Sequence, residues 1–255
     1  ERPSLASTAF TRRLIDRSTA LLTGSISPDG ERLFVNRARP SDPGLFELSV
    51  VDFEGGAARA LGTERDLFDW DWHQDNAHLV LVKPVGRDSI EVSELDATTG
   101  QRRPIAKLAN DRLAFETVVG GGLVSIRGLK NIELLGIRGL ADTVLAGPAE
   151  TATIDFIEPQ PDGKSVVTIG WSIDGDSMKV HRVSLVDGRA ERLASFWGEG
   201  MGAVQRMPDG SFLVPIHTTQ ASEVWYRLGA NGGTPVRAGI RLPATATPST
   251  TRLAR

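Results

Sequence analysis

The stretch ISPDGERL at residues 26–33 combines a turn with the start of a strand, and its pattern recurs along the chain. Its Pro-Asp-Gly tripeptide is a turn signal, because proline fixes φ, aspartate bonds back to the backbone and glycine tolerates positive φ. The tripeptide returns at 161–163 and 208–210, and the sequence QDN at 74–76 is a weaker copy. A short apolar run follows each copy, which predicts a strand after each turn.

The distance between the turns is nearly constant. Asp29 and Asp75 are 46 positions apart, Asp162 and Asp209 are 47 apart, and the interval of 87 between Asp75 and Asp162 is about two periods. A degenerate copy is expected midway through that interval, where the chain reads VVGGGLVSI at 118–126. Each period also contains a third and a fourth strand-like segment around a second turn. Four strands in about 40 to 50 residues are typical of a β-propeller blade.

Counting periods predicts the number of blades. One further period reaches residue 255, so 245–253 is expected to be the innermost strand of another blade, while 11–14 matches an outermost strand. The sequence therefore predicts an all-β, six-bladed propeller of four-stranded blades in a single domain over 1–255, with five whole blades and an incomplete sixth shared by the termini. Two alternatives stay open: a helix at 10–22, and an Ala/Thr/Pro-rich linker at 242–251. The chain is expected to be part of a longer protein.

Composition excludes several classes of site. The 255 residues include no cysteine, which removes disulfides, Cys-ligated zinc, iron–sulfur clusters and thiol nucleophiles. Lys and Arg number 29 against 32 Asp and Glu, spread along the chain, so no basic surface for nucleic acid is expected. No apolar run approaches the length of a membrane-spanning helix. The four histidines lack metal-site spacing, and we predict neither a metal site nor a cofactor.

The segment DWDWH at 69–73 is the most distinctive local motif. In a strand, Asp69, Asp71 and His73 face one way and the two tryptophans face the other. Because the segment directly precedes a turn, it is expected to be an innermost strand, and the three polar side chains are candidates for binding a cation or a basic peptide in the central channel. In the alternative interpretation, the tryptophans pack between blades while the acids are solvated or cap neighbouring backbone groups.

Other motifs are assigned to structure. The sequence DGDS at 174–177 is similar to part of a calcium loop but lacks its further acids, and GRDS at 86–89 occupies the same place in another period. Both are expected to be hairpin turns, as is the glycine run at 120–122. The aromatic pairs at 196–197 and 225–226 are expected chiefly in blade packing, with an interface role as the alternative.

ISPDGERL, followed by VDFEGGAARAL at 51–61, resembles the WD40-like "SPDG" repeat of TolB-like bacterial propellers. The resemblance covers nearly the whole chain and is weakest between residues 110 and 149. It implies that each SPDG turn joins the innermost strand of a blade to the second. Similar repeats occur in the Tol envelope protein, in the propellers of prolyl-oligopeptidase-like enzymes, and behind bacterial Ser/Thr kinase or transcriptional-regulator domains.

The resemblance implies a non-catalytic scaffold that binds a protein or peptide partner in a bacterial, periplasmic or extracytoplasmic setting, as a monomer or tethered to another domain. The chain contains no Gly-x-Ser-x-Gly elbow and no convergent nucleophile and base, so no catalytic residue is predicted. Two alternatives remain: the substrate-gating propeller of a serine hydrolase whose catalytic domain lies outside this chain, or the sensor domain of a kinase or regulator.

Overall fold

The computed structural model describes residues 22–52, 58–136, 142–198, 200–201, 204–207, 209–217 and 223–238. All regular elements in these ranges are β-strands, arranged in five antiparallel sheets. The chain is therefore an all-β propeller of four-stranded blades, as the repeat predicts. Within these ranges no helix is long and apolar enough to cross a membrane.

The five blades follow one another along the chain, and within each blade the sheet order is the chain order. Blade 1 comprises β1 (Leu22–Ile26), β2 (Arg32–Arg39), β3 (Asp42–Asp52) and β4 (Arg59–Arg65). Blade 2 comprises β5 (Asp69–Trp72), β6 (His78–Pro84), β7 (Ser89–Asp96) and β8 (Arg102–Ala109). Blade 3 comprises β9 (Arg112–Val118), β10 (Gly122–Arg127), β11 (Asn131–Gly136) and β12 (Thr143–Leu145).

Blade 4 comprises β13 (Phe156–Pro159), β14 (Ser165–Trp171), β15 (Met178–Ser184) and β16 (Ala190–Phe196). Blade 5 has a divided first strand, β17 (Gly200–Met201) and β18 (Gln205–Arg206), followed by β19 (Phe212–His217), β20 (Glu223–Leu228) and β21 (Val236–Arg237). The first strands of successive blades contact each other, β1 with β5, β5 with β9 and β9 with β13. The first strands therefore surround the propeller axis.

The recurring turns join the first and second strands, as the sequence indicates. In blade 1 the Gly30 N–H donates to the Ser27 carbonyl at 2.8 Å, and Gly30 adopts a φ of 73°. The degenerate blade 3 forms the same turn, with Gly121 donating to Val118 at 3.1 Å and adopting a φ of 91°. We call the propeller side with these turns the turn face. The opposite side, with the second-to-third-strand turns and the connections between blades, is the connector face.

The apolar core lies between neighbouring blades. In the described part of the chain, four buried clusters join blades 1 and 2, 2 and 3, 3 and 4, and 4 and 5. No cluster there joins blade 5 to blade 1. The described ranges thus show five blades rather than six, and the two segments expected to share a sixth blade, 11–14 and 245–253, lie outside them.

The structure also tests the predictions for two turn segments and for the aromatic residues at 196–197 and 226. The segments at 86–89 and 174–177 lie at the second-to-third-strand turns of blades 2 and 4, which confirms them as hairpin turns. Phe196 is buried and its ring lies 5.4 Å from that of Tyr226 between centroids. The packing role expected for Trp197 is wrong: β16 ends at Phe196, and Trp197 is 73% exposed in the connection that follows.

Candidate functional site

Asp69 and Asp71 lie on the innermost strand β5 and bind the innermost strand of the next blade. The second carboxylate oxygen of Asp69 accepts the Phe115 N–H at 2.9 Å, and that of Asp71 accepts the Thr117 N–H at 2.7 Å. The first oxygen of each accepts the N–H of the following residue, at 2.9 and 2.7 Å. The Thr117 hydroxyl also donates to Asp71 at 2.8 Å. The two carboxylates therefore join the innermost strands of blades 2 and 3 by hydrogen bonds and satisfy two backbone amides of blade 3.

The two tryptophans of the same motif face blade 1, as strand alternation requires. Trp72 is buried, and its indole N–H donates to the Ser25 carbonyl at 3.0 Å. The Arg32 guanidinium stands 5.3 Å above the Trp72 ring, and the rings of Trp70 and Phe34 are 6.3 Å apart between centroids. Both faces of β5 therefore contact neighbouring blades. The structure has what the alternative interpretation of the motif predicts: the tryptophans pack against blade 1, and Asp69 and Asp71 cap backbone amides.

His73 is the residue that directly follows β5. It begins the turn: its carbonyl accepts the Asn76 N–H at 3.0 Å, and its buried ring lies 3.3 Å from Asp75. Asp75 also contacts the His78 ring at 2.8 Å. Burial by itself would raise the pKa of Asp75, but hydrogen bonds from His78 and from the Ala77 and His78 amides lower it to about 2.

Two glutamates occupy the position of Asp71 in the next two blades. Asp71, Glu116 and Glu158 each pair with the third residue of the second strand of their blade, namely Val80, Val124 and Val167. Sequence reasoning missed both glutamates. The signal was available, because each carboxylate stands four residues before the turn position occupied by Asp75, Gly120 or Asp162.

The carboxylates of these innermost strands affect one another's ionisation. Burial raises the pKa of Glu116 well above its ordinary value, and the charges of Asp71, Glu158 and Asp69 raise it further. Burial also raises the pKa of Asp71, and it raises that of Asp69 to about 6 despite the hydrogen bonds from Phe115 and Trp70. These four side chains, all partly buried, form what we call the channel carboxylates.

One cationic side chain from blade 5 approaches this group. The Arg206 guanidinium lies 3.5 Å from the Glu158 carboxylate and donates to the Pro159 carbonyl at 3.3 Å. Burial raises the pKa of Glu158 to about 7, and Arg206 offsets only part of that rise. Among the residues that the structure describes, none donates a hydrogen bond to the Glu116 carboxylate. Glu116 is therefore the channel carboxylate with the least internal compensation.

The arrangement favours binding of positive charge. In the described ranges no three His, Cys, Asp or Glu side chains are grouped so that they could hold a metal ion. A cationic side chain of another molecule would interact most favourably with Glu116, because the charges of Asp71, Glu158 and Asp69 act on that carboxylate.

Comparisons with known proteins agree with the fold. No family model matches the chain, and no curated protein matches its sequence. Among solved structures, TolB from Acinetobacter baumannii superposes with a TM-score of 0.65 at 12% identity, over 84% of this chain and 53% of that one. An oligogalacturonate lyase in complex with manganese gives 0.63 at 15% identity, over 84% and 63%.

An acylaminoacyl peptidase from Pyrococcus horikoshii gives a TM-score of 0.59 at 14% identity, over 83% of this chain and 37% of the peptidase. The chain thus spans about half of the TolB structure and under two thirds of the lyase. Identities this low establish a TolB-like propeller fold and leave its chemistry open.

Proposed function

We propose that this chain is a non-catalytic propeller scaffold that binds a protein or peptide partner, and that the channel carboxylates engage a positively charged group of that partner. The observation that carries the proposal is the placement of Asp71, Glu116 and Glu158 at one equivalent position in three successive blades. Their mutual repulsion makes ionisation costly in the free protein. A bound cation would relieve that repulsion, and its attraction to the carboxylates would contribute to the affinity.

Binding of a labelled hexalysine peptide, followed by fluorescence polarisation, tests the proposal. Glu116→Gln keeps the size of the side chain and removes one channel charge, so we expect the dissociation constant to rise by roughly fivefold or more. Glu31→Gln is the matched control, because Glu31 is an exposed glutamate in the turn of blade 1. Hexaglutamate should not bind. Equal affinity of hexalysine for the wild type and for both variants would contradict the proposal.

A second candidate is the substrate-gating propeller of a serine hydrolase whose catalytic domain lies outside this chain. It is supported by the similarity to the acylaminoacyl peptidase, of which this chain covers only 37%. The sequence of the gene on both sides of this region separates the two candidates. A Gly-x-Ser-x-Gly elbow within a strand and helix alternation would favour the hydrolase.

We also propose that a sixth, incomplete blade stands between blades 5 and 1. Support comes from the period of about 46 residues, and from the four inter-blade clusters, none of which joins blade 5 to blade 1 in the described ranges. Deleting residues 243–255 should then lower the melting temperature by several degrees, because an apolar blade face would lose its cover. An unchanged melting temperature would count against the sixth blade.

A further inference from the structure

The connector face of blades 2, 3 and 4 displays large apolar side chains in water. Each of these three blades contributes two of them, and the six are Phe68, Val85, Leu113, Leu129, Ile173 and Trp197. They are the same three blades that supply the channel carboxylates. Exposed apolar residues are unremarkable singly, but a group of them on one face marks an interaction surface.

Blade 4 carries the two most exposed members of the group. Trp171, Met178 and Phe196 lie side by side across the connector end of β14, β15 and β16. Ile173 follows β14 and is 67% exposed, and Trp197 follows β16. Two strand spacings of about 4.8 Å put the ends of β14 and β16 about 10 Å apart. Tryptophan is the residue most enriched at the energetic centre of protein interfaces.

In blades 2 and 3, one exposed apolar residue lies on or directly before the innermost strand, at the connector end of the propeller axis. Phe68 directly precedes Asp69, the channel carboxylate nearest to the connector face, and its N–H donates to the Val82 carbonyl at 2.9 Å. Leu113 is the second residue of the innermost strand β9. The aligned hydrogen bonds between β5 and β9 show that these two strands run in the same direction. Phe68 and Leu113 therefore stand at the same end of the channel.

The remaining exposed apolar residues form no comparable group within the described ranges. Ile26, Val119 and Val186 lie towards the turn face, one in each of blades 1, 3 and 4. Val144 and Val236 lie on the outermost strands β12 and β21. Within the described ranges, only blades 2, 3 and 4 combine two exposed apolar residues on the connector side with a channel carboxylate on the innermost strand.

We infer that the connector face of blades 2 to 4 docks a polypeptide that carries a lysine or arginine flanked by apolar side chains. The basic group enters the channel towards Asp69 and Glu116, while the flanking side chains cover Phe68, Ile173 and Trp197. Charge complementarity to the carboxylates favours a basic residue in the partner. The exposed apolar side chains of the connector face favour apolar residues on either side of it. This inference rests on the proposed function and adds the face, the contact residues and the chemistry of the partner.

Selection from a phage-displayed library of random twelve-residue peptides against the whole chain tests the inference. We expect enrichment of peptides with Lys or Arg between apolar residues. Their affinity should fall roughly tenfold in a Trp197→Ser, Ile173→Ser double variant, because two apolar contacts with the flanking side chains of the peptide are lost. Val186→Ser is the matched control, since Val186 is an equally exposed apolar residue towards the turn face, and it should leave affinity unchanged. Melting temperatures confirm that each variant folds.

The other outcomes separate this inference from the proposed function. Peptides that lose affinity with Glu116→Gln but not with the double variant would overturn the connector face and leave the channel proposal standing. A library with no enriched peptides, or with peptides insensitive to all of these variants, would overturn both. Sedimentation velocity tests whether a second copy of this chain occupies the connector face instead. A wild-type dimer that dissociates in the double variant would show that it does and would overturn the inference.

Discussion

Asp71 in blade 2 and Glu116 in blade 3 hold equivalent positions on innermost strands, yet their surroundings differ. The Asp71 carboxylate accepts the Thr117 and Trp72 amides and the Thr117 hydroxyl, so it fastens blade 2 to blade 3. Glu116 receives no hydrogen bond from the described residues and sits among like charges. The comparison separates a carboxylate that is bonded within the fold from one that receives no hydrogen bond from the described residues, although both occupy the same position of the repeat.

Removing the structural carboxylate should have the largest effect. Asp71→Ala leaves the Thr117 and Trp72 amides without their acceptor at the blade contact, so we expect the free energy of unfolding to fall by about 3 kcal/mol. Urea unfolding at pH 7 measures it. Glu31→Ala, at an exposed turn position, should stay within about 0.5 kcal/mol of the wild type. An Asp71→Ala variant as stable as this control would show that the interblade hydrogen bonds contribute nothing.

Removing the uncompensated charge should act in the opposite direction. The folded-state pKa of Glu116 is raised, so the folded protein holds a proton that the unfolded chain loses near pH 4.5, and ionisation destabilises the fold as the pH increases. Glu116→Gln should therefore be about 1 kcal/mol more stable than the wild type at pH 8 and about equal to it at pH 4. Thermal unfolding at both pH values measures this difference. A variant less stable than the wild type at pH 8 would place Glu116 with the structural carboxylates.

The connector face should show the smallest effect on stability. Trp197 is largely exposed, so Trp197→Ser should change the free energy of unfolding by less than about 0.5 kcal/mol. Phe196→Ala next to it supplies the contrast, because Phe196 packs between blades 4 and 5 and its truncation should cost about 3 kcal/mol. Equal losses in the two variants, measured by urea unfolding, would mean that Trp197 is part of the folded core.

The repeat made most of the fold predictable, because Pro-Asp-Gly turns and alternating apolar residues are local signals. The sequence also marked Asp69 and Asp71, but it could not tell which backbone amides they meet, since Phe115 and Thr117 lie 46 positions away. Glu116 and Glu158 were missed because their equivalence to Asp71 appears only when residues are counted back from each turn, and the strand register then makes it explicit. Trp197 was misjudged because packing depends on where β16 ends, and no single residue type at 196–198 specifies that point.

The most direct test of the central claim is a carbon-13 NMR titration of the glutamate side-chain carboxyls between pH 3 and 9, with and without hexalysine. The free protein should show Glu158 titrating at about 7 and Glu116 well above its ordinary pKa. Bound hexalysine should lower both pKa values, because a cation favours the ionised carboxylates. Ordinary pKa values for both glutamates, unchanged by the peptide, would contradict the account.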